Sequence, residues 1–261
     1  MKVAAYQAPL ACCATPEAIA LIREQIDQCE SVGVEILCCP EAILGGLADY
    51  SDQPASIASI ASIAFNVGGD QLHTVLAPLA SNTVTTILGF TETTGDGRLF
   101  NAAAVFHRAS IVGVYRKLHP AINRSVYDAG HEMPVFTVGA LTFGVLICRD
   151  STFSEPARVM ASRGAAALFV PTNNGMPSRK GGPELVDEAR SGDVALAIEC
   201  GVSVIRADVV GRTRDLVSYG SSGIVDQDGE VLGIARPLES GLVIADISVA
   251  RRGPPALRTD T

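Results

Sequence analysis

Three side chains in this sequence stand where a short apolar run gives way to polar residues, and their types are those of covalent catalysis. Cys148 ends the run Val145–Ile147 in GVLICRDSTF, Glu41 follows Pro40 in CCPEAILGG, and Lys117 closes Gly113–Arg116 in YRKLHP. A free thiol is mostly protonated at neutral pH, with a pKa of about 8.5, and becomes a useful nucleophile only beside a base or a cation. A carboxylate and an ammonium supply these two needs. Each residue also has an ordinary reading taken singly: a buried Cys packs as a small hydrophobe, and a lone Glu or Lys at a strand exit is a solvated charge.

The elements that would position the three residues follow from periodicity. Lys2–Gln7 reads as a strand. Thr15 then caps a helix with Pro16 at its first position, Ile19, Ile22 and Ile26 on one face, and Gly33 as its stop. Ile36–Cys39 is a buried strand that delivers Glu41. The stretch 56–81 reads as helical, broken at Gly68-Gly69. Strands are expected at Thr83–Thr91, Leu99–His107 and Ile111–Arg116, then as a hairpin of Val135–Val138 with Leu141–Cys148. Glu155–Arg163 and Glu184–Cys200 are helices stopped by Gly164 and Gly201, with a strand at Ala167–Val170 between them. Val202–Ala207, Gly223–Val225, Glu230–Ile234 and Leu242–Ile247 complete the strands. These elements make one α/β domain over 1–250, with 251–261 as a C-terminal arm or disordered tail.

The order of the three strings resembles the nitrilase superfamily, also called the carbon–nitrogen hydrolases: Glu in a PE-A string, Lys in an RK-H-P string, Cys in a C-x-D-x-x-F string. KVAAYQ, Asn101 in FNAAAV, FSEPAR, AIEC and GSSGIVDQDGEVL extend the likeness over nearly the whole chain. The resemblance implies a four-layer αββα sandwich, no metal or other cofactor, and a catalytic set of Glu41 (general base), Lys117 (cation beside the oxyanion) and Cys148 (nucleophile). It also implies a homodimer or larger homo-oligomer. Arg149, through its backbone N–H, and Asn123 and Asn173 are the candidate oxyanion or substrate contacts. The chain departs from the pattern in one place: many members carry a second Glu shortly after the Lys, and here that position holds Asn123, with no Glu between Lys117 and His131.

The expected reaction is hydrolysis of a small amide through a Cys thioester. An N-carbamoyl amino acid or ureido substrate is the alternative, with Arg149 or Arg124 pairing its carboxylate. A nitrile is disfavoured because Arg149-Asp150, and not Trp-Glu, follows the cysteine. A non-catalytic partner-binding protein on the same fold is the reading from another class, and retention of all three residues speaks against it. Composition closes other routes. The chain has 261 residues, 48% of them hydrophobic, and a formal net charge of −8, so it can bury a sizeable core and has no basic tract for nucleic acid. No apolar run reaches the roughly 18 to 20 residues of a membrane span, and the first residues lack a secretory pattern; a cytoplasmic location is expected. The seven cysteines are odd in number, include the adjacent pairs Cys12-Cys13 and Cys38-Cys39, and read as reduced thiols. His73, His107, His119 and His131 show no metal spacing with them.

Overall fold

Alternation along the first strand already decides the layering. In β1 (Lys2–Pro9), Val3 and Ala5 enter one apolar cluster while Ala4 and Tyr6 enter another, as expected of a strand buried on both faces. Ile36 and Cys38 of β2 (Ile36–Cys38) oppose Leu37 in the same way, and so do Ile87 and Leu88 of β3 (Thr85–Thr93). The computed structural model describes residues 1–12, 17–47, 64–121, 126–178, 180 and 182–251. Thr15, Pro16, Asn123, Arg124 and all but the first residue of the expected 251–261 arm lie outside them.

The first sheet runs β5-β4-β3-β2-β1-β11-β12-β9, with β15 (Gly241–Asp246) also paired to β1. Here β4 is Leu99–His107, β5 Ser110–Arg116, β9 Met176–Pro177, β11 Val209–Arg212 and β12 Leu216–Ser218. The second sheet runs β14-β13-β10-β8-β7-β6. Its members are β6 (Val135–Val138), β7 (Leu141–Val145), β8 (Ala167–Pro171), β10 (Ser203–Ala207), β13 (Gly223–Val225) and β14 (Val231–Ile234). Between the sheets, Val3, Ile36, Ile87 and Val105 share a cluster with Phe143, Val145, Phe169 and Ile205.

Helices cover both outer faces. α1 (Glu17–Val32) buries Ala18, Ile22, Ile26 and Cys29, a helical stripe, in the cluster that holds Leu37, Leu88 and Phe90, together with Leu72 and Leu76 of α2 (Asp70–Leu76). On the far side, α3 (Ser154–Ser162) and α4 (Glu184–Cys200) add Met160, Leu196 and Cys200 to the inter-sheet cluster. Gly201 stops α4 in the left-handed region, at φ 62°. The result is a four-layer αββα sandwich.

Three expectations are adjusted. Within the described part of 56–81, only Asp70–Leu76 is α-helical, because Phe65 bridges to Glu92 beside β3 and Pro78 tightens the next turn to a 3-10 form. The strand expected to reach Cys148 ends at Val145. The short strands β9, β11 and β12 carry no alternation of their own; pairing to β1 and to one another makes them strands. Among the described residues no helix is long and apolar enough to cross a membrane.

Candidate active site

The parallel strands β2, β7, β8 and β10 put their carboxyl ends on one side of the sandwich, where the segments after them meet; open α/β sheets place their sites at such ends. After β7, the N–H of Leu146 still bonds the carbonyl of Phe169 (3.0 Å). At Cys148 the backbone turns into the left-handed region, φ 47°, and opens a 3-10 turn over Cys148–Thr152. A side-chain-bearing residue held there costs of order 1 to 3 kcal/mol and needs surrounding ties. One is the hydroxyl of Ser151, which donates to the Cys148 carbonyl at 2.8 Å. Cys148 is partly accessible, whereas the other described free cysteines, Cys29, Cys38, Cys39 and Cys200, are buried.

Glu41 sits in a turn after β2 and is only 1% exposed. Its Oε1 accepts from Lys117 Nζ (2.5 Å) and Asn101 Nδ2 (2.7 Å), and its Oε2 from the Asn173 N–H (3.0 Å). The Glu41 N–H donates to the carbonyl of Thr172 at 3.2 Å, so both ends of the residue are held from the strand ends. Gly89 of β3 lies directly beneath: a Cβ there would come within 2.4 Å of the Pro40 carbonyl.

Lys117 leaves β5 with its N–H on the Asn101 carbonyl (2.8 Å) and is 3% exposed. Burial acts to lower its pKa, but Glu41, Cys148 and Asp150 outweigh burial and hold the ammonium above its ordinary value. Burial, then the Glu41 carboxylate, push the Cys148 thiol up to about 12, against the pull of Lys117 and Arg206. These surroundings favour the neutral thiol and the charged ammonium.

A fully buried carboxylate joins the lysine segment to the cysteine turn. Asp150 accepts from Tyr115 Oη (2.7 Å), the His119 N–H (2.8 Å), His119 Nδ1 (2.9 Å) and the Leu118 N–H (3.2 Å). Burial first, then the adjacent Asp150, raise the Tyr115 phenol far above its ordinary value, so Tyr115 is a fixed donor. The His119 ring stacks on Phe153 with centroids 4.0 Å apart. Cys148, Arg149, Asn174 and Arg206 line a cavity of about 450 Å³ that extends along α4, and Glu41, Asn101, Lys117 and Tyr127 line a smaller one of about 10 Å³. Among the described residues, no group of three or more His, Cys, Asp and Glu side chains could hold a metal ion.

The family model described as carbon-nitrogen hydrolase matches residues 2–254. The chain belongs to that family. This carbon–nitrogen hydrolase is 30% identical over 234 residues to a nitrilase of Pyrococcus abyssi, a match covering 88% of the chain and 81% of that relative. It is 28% identical over 172 residues to the glutamine-dependent NAD(+) synthetase of Acinetobacter baylyi, of which the match covers 31%, against 64% of this chain. A structure of the Nesterenkonia AN1 amidase, a nitrilase-superfamily protein, superposes with a TM-score of 0.78 at 22% identity, covering 94% of this chain and 90% of that one.

Of the residues read from the sequence, the hydrolase fold brings Glu41, Lys117 and Asn173 into direct contact and sets Cys148 beside them. Asn173 engages Glu41 through its backbone N–H, while its side-chain Oδ1 accepts from the Gly175 N–H (3.0 Å). The Arg149 guanidinium donates to the Ala121 carbonyl at 2.9 Å. Asn101, noted in the sequence only as part of a string, proves to be a partner of Glu41. The sequence reading missed Asn174, whose Oδ1 is 4.0 Å from Cys148 Sγ, and the buried Asp208 that orients it through its N–H (2.9 Å) and Nδ2 (3.1 Å). It also missed Arg206 and Asp193. Their signal was present: charged residues inside the apolar run VSVIRADVV and within the α4 pattern.

Proposed function

We propose that this protein hydrolyses small carboxamides through a thioester on Cys148, with Glu41 as the proton carrier and Lys117 as the cation of the oxyanion site. The observation that carries the reading is the buried Glu41–Lys117 pair, at 2.5 Å, beside a cysteine held at positive φ on a strand end. Glu41 takes the thiol proton as sulfur attacks the amide carbon, which forms the C–S bond and puts the negative charge on oxygen. The raised thiol pKa makes that transfer part of the attack, so a positioned base is needed. The oxyanion meets Lys117 and the N–H of Arg149, which stands in the first positions of the 3-10 turn, where N–H groups have no partner within the turn. Collapse breaks the C–N bond, and Glu41 returns its proton to the departing ammonia or amine. Water then adds to the thioester carbon, with Glu41 again accepting a proton, and expulsion of the thiol releases the acid.

The Nesterenkonia amidase supports the reading, since a variant of that protein shows the result of Michael addition of acrylamide at its active-site cysteine. The cavity of about 450 Å³ that Cys148 lines leaves room for a small amide. The test is ammonia release from short amides, ω-amides and carbamoyl amino acids, with iodoacetamide labelling followed by peptide mapping. Turnover of a short amide, lost in Cys148→Ala and lost in step with Cys148 labelling, is expected. A Glu41→Gln variant should lose at least about 100-fold in kcat. Full inactivation with Cys148 unmodified would overturn the assignment.

A further inference from the structure

Near Cys148 a second cation besides Lys117 is buried in the sandwich. Arg206 lies in β10, 5% exposed, and its guanidinium forks onto Asp193 of α4: Nε to Oδ2 at 2.8 Å and Nη2 to Oδ1 at 2.5 Å. Two further donors point the other way. Nη2 reaches Ser151 Oγ at 2.9 Å, and Nη1 reaches Thr172 Oγ1 at 2.8 Å. Ser151 Oγ in turn donates to the Cys148 carbonyl (2.8 Å), and the Thr172 carbonyl accepts the Glu41 N–H (3.2 Å). Asn173, the next residue, gives its N–H to Glu41 Oε2. One planar group therefore touches both the turn that presents the thiol and the strand end that holds the carboxylate.

We infer that Arg206 is a positioning residue for the reaction proposed above, its guanidinium holding in register the Cys148 turn and Thr172, at the end of β8, which in turn holds Glu41. The inference rests on that proposed reading of Glu41 and Cys148. A guanidinium suits the task because its donors leave a rigid plane in fixed directions, which an ammonium cannot match, and the Asp193 fork sets the orientation of that plane. Arg206 also bears on the thiol by charge. It stabilises the thiolate, as Lys117 does, against the opposing fields of Glu41 and Asp208. The ion pair is buried, so its value for stability alone is small compared with well-packed apolar replacements; the geometry it imposes on the site is what distinguishes it.

The test uses three variants of the full chain: Ser151→Ala, Arg206→Lys, and the double variant Arg206→Met with Asp193→Leu, which removes both charges together and leaves none unpaired. Measured are kcat and KM for the best amide, the rate of Cys148 alkylation by iodoacetamide across pH 7 to 10, and the thermal transition. For the double variant kcat should fall by roughly 10- to 100-fold, the scale of a small misplacement of reacting groups, with KM little changed and alkylation slower at every pH. Arg206→Lys should restore the alkylation rate, which follows charge, more fully than kcat, which follows the fork. A cooperatively folded double variant with the kcat and alkylation rate of the parent would overturn the inference. So would a rise in KM alone, by making Arg206 a substrate contact. If the double variant does not fold, Ser151→Ala decides: it leaves the ion pair in place, a several-fold loss of kcat at constant KM is expected, and parental kinetics would overturn the proposal. Retained turnover in Cys148→Ala would instead remove the underlying reading. An inactive Cys148→Ala beside fully active Arg206 and Ser151 variants would remove this inference alone.

Discussion

Gly89→Ala tests the placement of Glu41 without changing a polar residue. A Cβ on Gly89 would lie 2.4 Å from the Pro40 carbonyl oxygen, 2.5 Å from the Ala42 nitrogen and 2.8 Å from the Glu41 Cα, where ordinary contact begins at 3.4 Å. All three atoms belong to the turn that carries Glu41, so relief requires that turn to lift from β3 by about 1 Å, since the central strand beneath it is fixed on both sides. The carboxylate contacts at 2.5, 2.7 and 3.0 Å do not survive a displacement of that size as hydrogen bonds of ordinary length. We predict a loss of kcat on the order of 100-fold and a stability loss of about 1 to 3 kcal/mol from overpacking. The assay pairs steady-state amide hydrolysis with urea unfolding, and Gly95→Ala, where an added Cβ meets nothing within 4 Å, is the control. A Gly89→Ala enzyme with parental kcat and stability would refute the reasoning, because Glu41 would then not depend on this close approach.

Two other predictions concern buried groups. Asp150→Ala leaves Tyr115 Oη and the His119 N–H without their acceptor, so chemical denaturation should show a loss of about 3 kcal/mol or more; a change under 1 kcal/mol would mean that water replaces the carboxylate. Burial and Glu30 push the Cys29 thiol from an ordinary 9.0 up to about 12. The unfolded chain then gives up this proton near pH 9 while the folded chain keeps it, so stability falls as pH rises above 9. The slope contributed is roughly 1.4 kcal/mol per pH unit. Urea midpoints at pH 8, 9 and 10 under reducing conditions should fall less steeply in Cys29→Ala, and equal slopes would contradict the assignment.

The central residues were legible because each follows a run whose apolar pattern marks a strand end, and Glu41, Lys117 and Cys148 combine into a known order. What surrounds them was not. Asp150 read as a charge flanking Cys148, yet it is fully buried; its donors Tyr115, Leu118 and His119 stand 31 to 35 positions earlier, and only the packed fold reveals them. Arg206 sits in a run that reads as an ordinary buried strand, and its partner Asp193 shares the face of α4 that buries Leu196, Ala197 and Cys200, so the signal was a charge within each apolar pattern and only the fold shows that the two charges meet. β11 and β12 escaped because register with β1, and no local pattern, makes them strands.

The central strand β1 has a consequence for synthesis. It pairs with β2 on one edge and, from Lys2 to Gln7, with β15 on the other, and the Met1 ammonium closes onto the Ile247 carbonyl at 3.0 Å. At translation rates of about 5 to 20 residues per second, the segment that completes this strand leaves the ribosome roughly 10 to 50 s after β1 does. Throughout that interval a strand that the fold buries over six consecutive residues, Val3 to Ala8, has an open edge, the condition under which strands pair with the wrong chain. Nascent chains stalled before residue 241 should therefore expose β1 to proteases and holdase chaperones, and protection should appear with the emergence of Gly241–Asp246.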